Sequence, residues 1–104
     1  MTDYKKLTWS QANREQVDKL RDIGADVGTI VRFIEYGTPM GSFYTALFEG
    51  DLHTAVNRAD SKNIERIIAL TQWIVRYAPI GCVGRGIWEW EGEEKEREQA
   101  WGDA

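Results

Sequence analysis

Two long stretches of the chain carry apolar residues at spacings of three and four, and a shorter, faster alternation lies between them. In the first stretch Val17, Leu20, Ile23, Val27, Ile30 or Val31, and Ile34 fall on one side of a helix of 3.6 residues per turn, with Thr8 or Ser10 placed to cap its start. Gly24 and Gly28 interrupt the row. Each weakens a helix interior by about 1 kcal/mol relative to Ala, so a kink, a break or a close helix crossing is expected there. The pattern stops at Gly37, which suits a left-handed C-terminal cap, and Pro39 keeps the helix from resuming.

From Tyr36 to Asn63 turn residues and short apolar runs alternate. Ser42 is placed to cap a helix through Phe43, Ala46, Leu47 and Phe48 that ends at Gly50, and Asp51 to cap another through Leu52, Ala55 and Val56. Both are barely two turns long. Asp60 then opens the strongest helical pattern, with Ile64, Ile67, Ile68, Leu70, Thr71, Ile74 and Val75 on one broad face and Pro79 beyond its end. This is expected to be the core helix, burying Ile64, Ile67, Ile68, Leu70 and Ile74. After a glycine-rich turn, PIGCVGRG, Ile87, Trp88 and Trp90 lead a polar helix with Glu91–Lys95 and Glu93–Arg97 pairs at i, i+4. No stretch alternates like a strand, repeats or is of low complexity. The pattern predicts an all-α single domain, residues 1–104, of about five helices, two of them very short, around the long one. Residues 1–9 form an N-terminal arm and 85–104 an acidic C-terminal helix.

Composition sharpens this in three ways. A chain of 104 residues with 42% hydrophobic side chains holds one core, and a domain so small gains from self-association, so a homo-oligomer is expected. Five Trp are many for this length, which places some at an interface or pocket rim. The net charge of −4 is uneven: residues 85–104 carry three basic and seven acidic side chains, and the rest carries ten of each. A neutral body with an acidic tail argues against duplex nucleic acid as a partner. No apolar run approaches membrane-spanning length, nothing at the N-terminus resembles a signal peptide, and lone Cys82 excludes an internal disulfide, all of which points to the cytoplasm.

Candidate chemistry is sparse. The one His, His53, lies near Asp51, Arg58 and Asp60, a set that would suit proton transfer, but surface decoration or local capping explains it as well. Cys82 as a nucleophile needs a His partner, and no metal-ligand spacing is present, so no catalytic residue, metal or cofactor is assigned. The stretch with most to offer is a binding site for a phosphate-bearing small molecule. Helix starts near Gly41 to Phe43 and Asp60 to Ser61 present backbone N–H groups with Arg58 close by, and Tyr36, Phe43, Tyr44 or Trp73 could stack a base. The ligand-binding set is then Tyr36, Thr38, Gly41, Ser42, Phe43, Arg58, Asp60 and Asn63, with Arg58 on phosphate, Thr38 and Ser42 donating, and Asn63 reading polar edges. The competing account makes Asp60 and Asn63 helix caps and the Gly-Pro-Gly run a plain turn.

The run YGTPMGSFYTALFEGDLHTAVNRADSKN over residues 36–63, followed by WIVRYAP and GCVG, resembles a family of small phage-encoded proteins with an H/Y-G-x-P-x-G-x-F, A-x-L-x-x-D-L, A-x-x-R-A-D-x-x-N, A-P-x-x-C-x-G pattern. The likeness covers roughly residues 30 to 84. Family members tend to carry Trp after the Cys and a Ser-Pro start to the last helix, where this chain has Val83 and Arg85-Gly86. The resemblance implies phage origin, and with it an accessory, counter-defence role in the cytoplasm of an infected bacterium: sequestering a nucleotide-type immune signal without catalysis. The alternatives are inhibition of a host protein through the acidic surface bearing Trp88, Trp90 and Trp101, and, third, a small hydrolase.

Overall fold

The computed structural model describes residues 7–84 and 87–95, with only the backbone of Ile80 and Trp88. Six α-helices follow one another: α1 (Trp9–Ala12), α2 (Arg14–Ile23), α3 (Val27–Tyr36), α4 (Ser42–Glu49), α5 (Leu52–Arg58) and α6 (Ser61–Tyr77). Two single 3-10 turns, Ile80–Cys82 and Ile87–Glu89, and the helical residues 93–95 follow, and the described residues contain no strand. The domain is all-α, as the apolar spacing predicts. No helix among the described residues is long and apolar enough to cross a membrane.

Local chemistry fixes each boundary. Thr8 caps α1 through a reciprocal capping box with Gln11, and Asn13 separates α1 from α2. The long first pattern is therefore three helices. Its second break falls at Gly24, which is left-handed (φ +90°), after which the Asp26 carboxylate accepts from the Thr29 N–H and restarts the chain as α3. Arg66 of α6 donates to the Gly24 carbonyl at 2.9 Å, placing a cation on the C-terminal end of α2. Gly41, rather than Ser42, is the N-cap of α4. Asp51 and Asp60 cap α5 and α6 by accepting from Thr54 N–H and Asn63 N–H.

The core gathers Leu20, Ile30, Phe33, Ile34, Phe48, Leu70, Trp73 and Ile74 where α2, α3, α4 and α6 meet. Trp73 anchors the α1–α2–α6 seam: its ring stands edge-on to Trp9, with centroids 6.2 Å apart, and its indole N–H donates to Gln16 O at 2.8 Å. Helix α6 departs from expectation on the face that it buries. Leu70, Trp73 and Ile74 are buried and Ile67 half-buried, but Ile64 and Ile68 are exposed, at 52% and 75%. The broad apolar pattern of the sequence is two stripes on opposite sides of one helix, and only one meets the core.

Residues 87–92 form a strap across the C-terminal end of α3. The buried Trp90 indole N–H donates to the carbonyls of Phe33 (3.0 Å) and Ile34 (3.1 Å), groups that a helix end leaves without intrahelical donors. The fit is backbone on backbone. A Cβ on Gly37 would come within 2.6 Å of Trp90 O, and one on Gly92 within 2.3 Å of Glu35 O, and both glycines have φ in the left-handed half of the map. Beside the strap, Glu35 is buried and its carboxylate accepts from Ser10 N (2.8 Å) and Ser10 Oγ (2.7 Å), while Trp9 N donates to Glu94. The Glu91–Lys95 ion pair is present at 2.6 Å. The arm before Leu7, Arg97, Trp101 and most of the expected C-terminal helix lie outside the described residues.

Candidate functional site

The eight residues expected to bind a ligand fall on two connections. Tyr36, Thr38, Gly41 and Ser42 lie exposed along the α3–α4 connection, with Phe43 just inside α4. Phe43 is buried, and its ring packs edge-on against Tyr44 with centroids 5.2 Å apart, so it offers no open face for a base. Tyr44 is tied down as well, its hydroxyl accepting from Asp26 N at 2.9 Å. Arg58, Asp60 and Asn63 lie along the α5–α6 connection. Asp60 accepts from Asn63 N at 2.8 Å, so this pair is engaged in the α6 cap, and Arg58 is exposed at the end of α5. Among the described residues no hydrogen bond or ion pair joins the two sets. The cavity at the α3–α4 turn, about 180 Å³, is lined by Phe33, Gly37, Pro39, Met40, Thr45, Ile87 and Trp90. It has no charged side chain and no member of the Arg58 set.

The candidates for catalysis are also placed. His53 is exposed in the first turn of α5. Cys82 is fully buried in the 3-10 turn that follows α6, with its thiol donating to Pro79 O at 3.1 Å, a packing position closed to substrate. No group of three His, Cys, Asp or Glu among the described residues could hold a metal ion. Trp90, expected on an acidic docking surface, is buried under the strap instead. Trp9 and Trp73 are buried too, so three of the five Trp serve the core.

A roomier site lies elsewhere, in an open groove of about 370 Å³ between α2 and α6. Lys19, Asp22 and Ile23 form one wall and Ala69, Gln72, Trp73, Arg76 and Tyr77 the other. Lys19 Nζ donates to the Tyr77 hydroxyl at 3.1 Å and lies 4.9 Å from the centroid of its ring. That hydrogen bond, with the charge behind it, raises the Lys19 pKa above the ordinary lysine value and lowers that of Tyr77 below the ordinary phenol. The groove thus presents two cations, the Asp22 carboxylate, an aromatic ring and an amide around an apolar floor. The sequence did not mark it. Lys19 and Tyr77 are 58 positions apart, each is the polar edge of an amphipathic helix, and only the packing of α2 on α6 brings them together.

Comparison with models of protein families, with curated proteins and with solved structures finds no match to this chain.

Proposed function

We propose that this protein acts by binding rather than by catalysis, and that it sequesters an anionic, ring-bearing small molecule of the nucleotide type in the groove between α2 and α6. The observation that carries this reading is the convergence of Lys19 and Arg76 beside Tyr77 on the open groove. Its volume of about 370 Å³ falls in the range of small-molecule sites. A phosphate between Lys19 and Arg76 gains charge-assisted hydrogen bonds. Gln72 offers a donor and an acceptor to a base edge, Asp22 accepts from ribose hydroxyls, and Ile23 with Ala69 supplies the apolar floor for the flat part of the ligand. In the phage setting that the resemblance implies, capture of such a molecule removes a host immune signal.

Calorimetric titration with cyclic dinucleotides and ADP-ribose derivatives tests this. Lys19→Ala and Arg76→Ala should each lower affinity roughly ten- to a hundredfold, as expected for loss of one charge-assisted bond of about 1.5 to 3 kcal/mol. Arg58→Ala should leave affinity unchanged. The reverse pattern would return the site to the Tyr36–Asn63 set, and a wild type that binds none of these ligands refutes sequestration.

A further inference from the structure

The face of α6 turned away from the core carries three exposed aliphatic side chains and the half-buried Thr71, whose hydroxyl is covered and has no hydrogen-bond partner among the described residues. Ile64, Ile68, Thr71 and Val75 follow one another at spacings of four, three and four, and Ile64, Ile68 and Val75 are 52%, 75% and 72% exposed. At 3.6 residues per turn Ile68 points roughly 140 to 160° away from Leu70 and Trp73, which enter the core. Isolated exposed aliphatic side chains are ordinary on a protein surface, but three in register along about 16 Å of one helix form a strip that water covers poorly.

We propose that this strip is covered by the same strip of a second copy, α6 packing antiparallel on α6 about a two-fold axis near the middle of the helix. The charges beside the strip select the second copy and its direction. Glu65 and Arg76 lie on the same flank, one near each end of the strip. In an antiparallel two-fold pair each flank faces its own counterpart, so Glu65 of each copy meets Arg76 of the other and the complementary contact forms twice. A parallel pair would set that flank against the opposite one, where Ile67 and Ala78 lie, and leave both charges unmatched. Ile64 then packs on Val75 across the axis at each end. Ile68 and the smaller Thr71 lie beside the axis, where the helices approach most closely.

Sedimentation velocity over a range of concentrations, with circular dichroism on each variant, tests the proposal on the full chain. Wild type should be a dimer, and Ile68→Glu a monomer of unchanged helical content, because Ile68 touches neither the core nor the groove between α2 and α6. Glu65→Arg and Arg76→Glu should each weaken dimerisation roughly two- to tenfold, and the double swap should restore it, since it exchanges the partners within each pair. A wild type that is monomeric at every concentration overturns the proposal and leaves the strip to a different protein. So does a dimer indifferent to Ile68→Glu, or a double swap that fails to recover. Arg76 also lines the groove between α2 and α6, so the ligand titration uses monomeric Ile68→Glu, which keeps Arg76, and thereby separates this outcome from that of the sequestration reading.

Discussion

Replacing Trp90 by Phe isolates what the strap contributes to α3. The substitution keeps an aromatic ring under the strap and removes the indole N–H that donates to Phe33 O and Ile34 O. The two carbonyls are not equally affected. Phe33 O also accepts from Gly37 N at 2.8 Å and stays satisfied, whereas among the described residues Trp90 is the one donor to Ile34 O from outside α3. The cost is therefore that of one buried acceptor left without a donor, about 1 to 3 kcal/mol, with a further contribution from the smaller ring. For a domain of this size, each kcal/mol lowers the melting temperature by about 4 to 8 °C. Urea and thermal unfolding should show that loss, with hydrogen exchange of the amides at 87–92 accelerated in parallel. A midpoint unchanged from wild type would refute the assignment of Trp90 as the cap of α3.

Two more expectations test other parts of the structure. Ile74→Ala should cost about 2 to 5 kcal/mol because Ile74 is 2% exposed, while Ile68→Ala should leave the stability of the isolated monomer almost unchanged; chemical denaturation at low protein concentration compares them. Thr54→Val should raise the Asp51 pKa back toward its ordinary value, since the Thr54 hydroxyl is the main cause of its depression, followed by the Thr54 N–H. A carboxyl with a lowered folded-state pKa stabilises above its unfolded pKa and loses that contribution as pH falls through the folded value, so the advantage of wild type over the variant should be full near neutral pH and shrink through the acid limb, and carboxyl NMR titration should show the shift.

The helices were legible in the sequence because their ends are written in local chemistry. Asp51 and Asp60 at N-caps, Gly37 and Gly50 at left-handed C-termini, and Pro39 and Pro79 beyond helix ends each act within a few residues of themselves. One boundary is not written in the sequence, and a second, the break expected near Gly24, lacks a visible restart. Asn13 makes no side-chain cap hydrogen bond, so nothing at that position announces the break between α1 and α2. Asp26 does cap α3, but it sits inside an apolar row that runs through the α2–α3 turn without losing its spacing. The strap was invisible for another reason. Trp88-Glu89-Trp90 reads as the start of a polar helix, and its conversion to a 3-10 turn depends on a contact with α3 more than fifty residues away.

Burial is where periodicity misleads. A spacing of three and four identifies a face, but the apolar positions of α6 spread over more than one face, and the pattern alone cannot say which side the rest of the chain will cover. Packing of α2 and α4 against Leu70, Trp73 and Ile74 decides it, and strands Ile64, Ile68 and Val75 on the outside. The same asymmetry separates the groove proposed above from the stretch that the sequence singles out. Turn-forming residues are dense in the Gly-Pro-Gly run, and there they set chain direction: Gly37 admits the strap, Pro39 follows the end of α3, and Gly41 caps α4. Lys19, Gln72, Arg76 and Tyr77 are unremarkable one by one. Their chemistry arises from the crossing of two helices whose inner faces satisfy the core and whose outer edges are left to converge on a groove.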